Sequence, residues 1–208
     1  MSARPLHVLF VTGEYPPWQG GVGAYTAELS RALAGLGVQA SVLTSAAVGL
    51  DPTVQPEAVV VFPLIQRWDW RIWSAVDRQA AACGADWIHV QYQTAAFSMH
   101  PAINLGPARW RRRDGRRDGR RIAWTYHDLR VPYLFPKAGE RLRRWVTKRP
   151  LASSDLIVVT NEEDRLALAD RTPAPAKIPI GSNIQGRAWT PEQRVARAYF
   201  AATLGMNW

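Results

Sequence analysis

Cysteine is nearly absent. Cys83 is the only one in 208 residues, so no disulfide can close within the chain. A chain of this length can bury a core without one, and the expectation is a protein of a reducing, cytoplasmic compartment. Long hydrophobic runs are missing as well: His7 to Thr12 is too short for a signal-peptide core or a bilayer span. Metal-ligand spacing is absent, with no cysteine pair, no His-x-x-x-His and no strand-end Asp-x-Asp. No metal and no cofactor are therefore expected. There is no G-x-S-x-G nucleophile elbow, no Gly-Lys-Ser/Thr phosphate loop and no G-x-G-x-x-G fingerprint. Those gaps weigh against a serine hydrolase, a P-loop ATPase and a nicotinamide dehydrogenase.

What is present is apolar content of 47% and a net charge of +9, unevenly placed. Residues 109–149 hold fifteen Arg or Lys against four Asp or Glu, a local +11 that leaves −2 elsewhere. Such a concentration implies an anionic partner or a solvated basic loop.

Apolar runs alternate with amphipathic stretches. His7–Thr12, Val38–Thr44, Ala58–Phe62 (stopped by Pro63), Asp86–Gln91, Ile122–Tyr126, Leu156–Thr160 and Lys177–Ile180 read as strands. Helices are expected at Val22–Leu36, Arg71–Cys83, Ala95–Leu105, Gly139–Arg149 and after Asn161, whose side chain suits an N-cap before Glu162, Glu163 and Asp164. Arg109–Arg120, with two Arg-Asp-Gly triplets, reads as an exposed insertion. This alternation predicts an α/β fold, a doubly wound, mostly parallel, Rossmann-like sheet. Its ligands should lie beyond the carboxyl ends of the strands, at Gly13–Gly23, Gln91–Thr94, Tyr126–Asp128, Asn161–Glu163 and Gly181–Asn183.

The most informative stretch is Glu14-Tyr-Pro-Pro-Trp-Gln-Gly-Gly-Val-Gly23, between the first strand and the first helix. Gly20, Gly21 and Gly23 permit close approach by a ligand, and the helix N-terminus favours a phosphate. A tight turn with no ligand accounts for three glycines equally well. His127 stands at a strand end before Asp128. Alone, such a histidine is more often packed than functional. Asp128 suits either an orienting role or a turn cap.

The order of motifs resembles the family-4 glycosyltransferases of GT-B architecture. The resemblance is carried by Tyr15-Pro-Pro-x-x-Gly-Gly-x-Gly23, by Asp86-Trp-Ile-His-Val-Gln91 and by Thr125-Tyr-His-Asp128. It continues in Asp155-Leu-Ile-Val-Val-Thr160 with Asn161-Glu-Glu, and in Ile178-Pro-Ile-Gly-Ser-Asn183. It implies a retaining, metal-independent transfer of sugar from a nucleotide-sugar substrate to an acceptor hydroxyl. Gly20, Gly21 and Gly23 would approach the donor diphosphate. His127 and Asp128 would stand beside the transferred sugar. Tyr15, Trp18, Gln19 and Gln91 are candidates for the acceptor wall.

The resemblance also implies a division. Residues 1–184 form the N-terminal, acceptor-side half, and 185–208 begin a linker to an absent C-terminal donor-binding domain, supplied in cis or in trans. The chain alone is then expected to turn over little or nothing. In the basic helix, Leu142, Trp145 and Val146 share a stripe ringed by cations. It suits either the sheet or an anionic membrane, peripherally at the inner face. Trp68, Trp70 and Trp73 suit either a ligand-facing surface or local core. The competing reading is a non-catalytic basic domain binding nucleic acid or anionic membrane; nucleic acid is disfavoured because no recognised module accompanies the basic run.

Overall fold

A computed structural model describes residues 4–49, 58–113, 119–129, 139–171 and 174–181, the side chains of 112 and 113 excepted. The elements run β1 (His7–Thr12), α1 (Gly21–Gly35), β2 (Gln39–Ser45), β3 (Val59–Ile65), α2 (Ile72–Ala82), β4 (Trp87–Tyr92) and α3 (Ala102–Arg113). They continue β5 (Arg121–Tyr126), α4 (Glu140–Lys148), β6 (Leu156–Val159), α5 (Glu162–Ala167) and β7 (Ala176–Lys177). The seven described strands make one sheet in the order β3-β2-β1-β4-β5-β6-β7. Every pairing is parallel, so the expected α/β, Rossmann-like fold is the one observed.

The central strands are apolar on both faces because both are covered. In β1, Leu9 and Val11 join a cluster with Ile72, Val76, Ile103 and Trp110 of α2 and α3. Val8 and Phe10 point the other way, to Ala27 of α1. The side-chain period of two thus splits one hexapeptide between two cores. At the amino edge, one device recurs. The Asp86 carboxylate, just before β4, accepts from the His7 backbone N–H at 2.8 Å, and Asp155, before β6, accepts from Ile122 N–H at 2.8 Å. Each aspartate satisfies an amide at the start of the neighbouring strand and so helps set its register.

The structure departs from the expected elements at several places. Pro63 does not stop β3; it lies inside the strand, opposite Thr44, just before a register shift. Proline is tolerated there because β3 is the edge of the described sheet. The helix expected at Ala95–Leu105 is a short 3₁₀ turn at Ala95–Phe97 followed by α3, which starts after Pro101 and runs on through Pro107 to Arg113. The first part of the expected exposed insertion is therefore helix, and Trp110, 2% exposed, is core. Trp110 donates to Trp73 O at 3.2 Å, and Trp73 donates to Ala102 O at 2.9 Å, which locks α2 to α3.

Among the described residues, part of the basic segment is tied to the body of the protein. Arg111 pairs with Asp155 at 2.9 Å, Arg120 approaches Asp77 at 3.9 Å, and Arg121 lies over the Trp87 ring at 5.5 Å. Of the two places open to the stripe on α4, the sheet is ruled out for Leu142 and Trp145, each 54% exposed. The helix is held instead through its other face, where Thr147 is buried and its carbonyl accepts from the Tyr126 hydroxyl at 2.8 Å. The Asn161 cap is observed, with Oδ1 accepting from Asp164 N–H at 2.7 Å. Asn183, the residues 185–208 assigned to a linker, and the central part of the 109–120 insertion lie outside the described residues.

Candidate functional site

The chain leaves β1 toward β2 on one side and returns past it to β4 on the other. Between the carboxyl ends of β1 and β4 the connections diverge, and in open α/β sheets that divergence leaves a crevice. Two of the expected segments and a hollow beside them lie there.

The first is the start of α1. Gly20 is its N-cap in extended conformation, with its carbonyl accepting from Ala24 N–H at 3.0 Å. No acidic residue stands in the first turn itself, but the Glu14 carboxylate lies beside the N-cap and faces the partial positive charge of the free amides. The glycines have different reasons to be there. A Cβ on Gly23 would sit 3.0 Å from the Tyr15 backbone nitrogen, so Gly23 is set by packing. One on Gly20 would meet the end of the Glu14 side chain. One on Gly21 would meet nothing within 4 Å.

The second is the end of β5. His127 N–H donates to Tyr92 O at 3.0 Å, which fixes the turn to β4. Its Nε2 lies 2.9 Å from Gln91 Oε1. Burial lowers the imidazole pKa to about 4, so the ring is neutral near pH 7. With the Gln91 oxygen as acceptor, Nε2 carries the hydrogen and Nδ1 keeps a lone pair. Tyr25, from the first turns of α1, sets its ring edge-on to His127 at 4.9 Å between centroids. Tyr25 thus joins the start of α1 to the histidine corner. Asp128 follows on the same turn, half-buried.

The third is a crevice of about 330 Å³ beside the glycine turn, lined by Glu14, Trp18, Gln19, Ser45 and Trp68 among others. Trp18 is 43% exposed, whereas Trp68 is buried, edge-on to Phe97 at 4.7 Å. The Glu14 carboxylate lines this space with no hydrogen bond or ion pair to its side chain among the described residues. A wall of two indoles, a carboxylate and an amide suits a polyhydroxylated ligand, because indoles pack on C–H faces while the polar groups take the hydroxyls.

Two residues expected on the acceptor wall stand elsewhere. Tyr15 is 2% exposed, packed with Val8, Phe10 and Ala27. Gln91 is fully buried and reaches the site only by holding His127. His89 also turns inward, 2.8 Å from Thr125 Oγ1, with its pKa lowered to about 3 by burial and, secondarily, by nearby His127. Tyr25, Glu14, Ser45 and Trp68 are additions. Tyr25 carries a local signal, since it follows Gly23 by two residues. Ser45 and Trp68 carry none, because only the sheet brings them together. The Trp68, Trp70 and Trp73 group divides: Trp68 lines the crevice, Trp73 ties the helices, and Trp70 is half-exposed against His100 at 5.0 Å. A larger hollow of about 680 Å³, lined by Arg4, Asp86, Trp87, Arg120 and Arg121 among others, lies at the amino end of the strands, away from His127.

The model of Glycosyltransferase Family 4 matches residues 19–183. No curated protein matches the chain. Among solved structures, a sucrose-phosphate synthase from Thermosynechococcus elongatus is similar at 19% identity and TM-score 0.49, covering 96% of this chain and 99% of that one. UGT2 of Phytolacca americana, complexed with UDP-2fluoro-glucose and pterostilbene, is similar at 11% identity and TM-score 0.49, covering 88% of this chain and 55% of that one. A putative epimerase from Burkholderia cenocepacia reaches 19% identity and TM-score 0.44, covering 76% of this chain and 55% of that one.

Proposed function

The chain belongs to Glycosyltransferase Family 4, and from that membership we propose that it forms the acceptor-side half of a retaining transferase moving a sugar from a nucleotide-diphosphate donor to an acceptor hydroxyl. The observation that carries the reading is the meeting of the α1 start with the His127 corner through Tyr25, next to an open polar–aromatic crevice.

In this reading the amides of the first turn of α1 face the donor diphosphate and oppose the charge that grows on it as the sugar–oxygen bond breaks. Gly21, open on its outer side, admits the phosphate. His127 stays neutral and cannot repel the cationic character that develops on the sugar ring. Its free Nδ1 accepts from a sugar hydroxyl, which fixes the ring's angle to the acceptor. Gln91 and Tyr25 are positioning residues that hold the imidazole. Trp18, Gln19 and Glu14 hold the acceptor, with Glu14 accepting from its hydroxyls. Asp128 orients the same corner. No step requires a metal.

The other wall of the reaction cleft, a donor-binding half, completes the enzyme in cis or in trans. The test pairs the chain with the donor-side half encoded in the same or an adjoining reading frame and measures nucleoside diphosphate release over a panel of nucleotide sugars. The expected result is no transfer by the chain alone, transfer by the pair, retention of anomeric configuration by NMR, and loss of turnover in His127→Ala. Transfer by the 208-residue chain alone overturns the division of labour. Full activity of His127→Ala in the pair overturns the assignment of the site.

A further inference from the structure

Helix α4 packs the reverse of an ordinary amphipathic helix. Its inward face carries Thr147, and its outward face carries Leu142 and Trp145, each 54% exposed. Around that outward face runs a groove of about 460 Å³ lined by Arg141, Arg144, Trp145, Lys148, Arg149 and Arg171, with no carboxylate on its wall among the described residues. Arg144 is paired with Glu140. Arg141, Lys148, Arg149 and Arg171 have no carboxylate within ion-pair distance among the described residues. Arg149 lies 5.9 Å from the centre of the Trp145 ring. Leaving an indole and a leucine half-exposed one helical turn apart forgoes burial that either core would reward.

We infer that the outward face of α4, with Arg171 beside it, docks on the surface of an anionic phospholipid bilayer. Leu142 and Trp145 enter the boundary between headgroups and acyl chains, and the ring of cations contacts lipid phosphates. The occupant is argued from charge and shape together. A row of cations alone suits any polyanion, but Leu142 has no use against a phosphate backbone, whereas an aliphatic tip beside an indole suits the bilayer interface. Among the described residues, Arg111, Arg120 and Arg121 are drawn onto Asp155, Asp77 and Trp87 and do not extend the α4 cations into a track along the amino end of the sheet. The inference needs no catalysis, so it stands or falls separately from the transferase reading.

The test is flotation of the full chain with vesicles of phosphatidylcholine alone and with about one-third phosphatidylglycerol, at low and high salt. Binding is expected only to the anionic vesicles, weakening as salt rises. Arg141→Gln with Lys148→Gln should lower partitioning by roughly 25-fold, about fivefold for each cation lost near the surface. Leu142→Ser with Trp145→Ser should lower it by at least about tenfold, with cooperative unfolding retained because both side chains are half-exposed. A nitroxide on Leu142→Cys, in a Cys83→Ser background, should become oxygen-accessible on binding, while one on Glu28→Cys in α1 stays in water. Equal binding to neutral vesicles overturns the inference. So does anionic binding that survives the Leu142/Trp145 change, which would mark a general polycation. So does burial of residue 142 in a second copy or under another segment of the chain without vesicles, and so does preference for an RNA or DNA of defined structure over vesicles.

Discussion

Replacing three glycines around the first turn by alanine separates packing from chemistry. At Gly13 the new Cβ would lie 1.9 Å from the Ala96 carbonyl oxygen and 2.3 Å from its carbon. Backbone cannot swing aside as a side chain can, so β1 and the Ala95–Phe97 turn must part by more than 1 Å. Overpacking of this kind costs about 1–3 kcal/mol or more. Taking ~3 kcal/mol, the melting temperature should fall by roughly 6–12 °C in a chain of this size. At Gly23 the contacts of 3.0–3.1 Å with the Glu14–Tyr15 backbone ask only for a few tenths of an ångström, so about 1 kcal/mol is expected. At Gly21 there is nothing to strike, and alanine is the better helix former by up to about 1 kcal/mol. Gly21→Ala should therefore be neutral or slightly stabilising, yet its methyl group points where the diphosphate is proposed to lie. Urea unfolding followed by tryptophan fluorescence gives the stability order Gly21→Ala, wild type, Gly23→Ala, Gly13→Ala. Nucleoside diphosphate release by the chain with its donor-side half gives the activity. If Gly21→Ala keeps wild-type kcat/KM, the first turn does not approach the phosphate and the assignment fails. If Gly13→Ala is silent, the packing argument fails.

His89 and His127 have native pKa values lowered by burial to about 3 and about 4, below the usual 6.5. The unfolded chain then binds protons that the native one refuses as pH falls below about 6.5, so stability is expected to drop by roughly 1.4 kcal/mol per pH unit per histidine until the native sites titrate. His89→Asn should flatten the slope of urea-derived stability between pH 6 and about 4.5 by close to one proton, and an unchanged slope refutes the burial argument. Asp155→Ala strips the Ile122 amide of its acceptor and Arg111 of its partner, and should cost about 2 kcal/mol in the same unfolding assay. Asn161→Ala should cost about 1 kcal/mol, seen as faster hydrogen exchange in α5. Glu14→Gln should leave stability unchanged and raise the acceptor KM of the paired enzyme about tenfold, with kcat much less affected; an unaltered KM removes Glu14 from the acceptor wall.

The strands, most of the helices and their α/β order were legible in the sequence because their signals are local. Runs such as Leu156–Val159, the Asn161 cap and Gly84 after α2, at φ +65, report on backbone and periodicity without reference to distant residues. Local rules went astray where position in the sheet overrode them. Pro63 is a breaker anywhere except at an edge, and the helix expected at Ala95–Leu105, across Pro101, instead begins after Pro101 and contains Pro107.

The motif order from Tyr15 to the Ile178–Asn183 strand end was enough to identify the family, and the glycine turn and His127 were visible as candidates. What those residues touch was decided only in three dimensions. Tyr15 and Trp18 are both aromatics of one loop, and the sheet buries the first and exposes the second. Gln91 looked like part of a wall and is a brace for His127, because β4 and β5 lie side by side in register. Leu142 and Trp145 share an apolar stripe in the sequence, but which way a stripe faces depends on what the opposite side of the helix finds to hold, here the Tyr126 hydroxyl. Periodicity is a property of neighbours along the chain. Burial and contact are properties of neighbours in space, and those are set only when the whole sheet has formed.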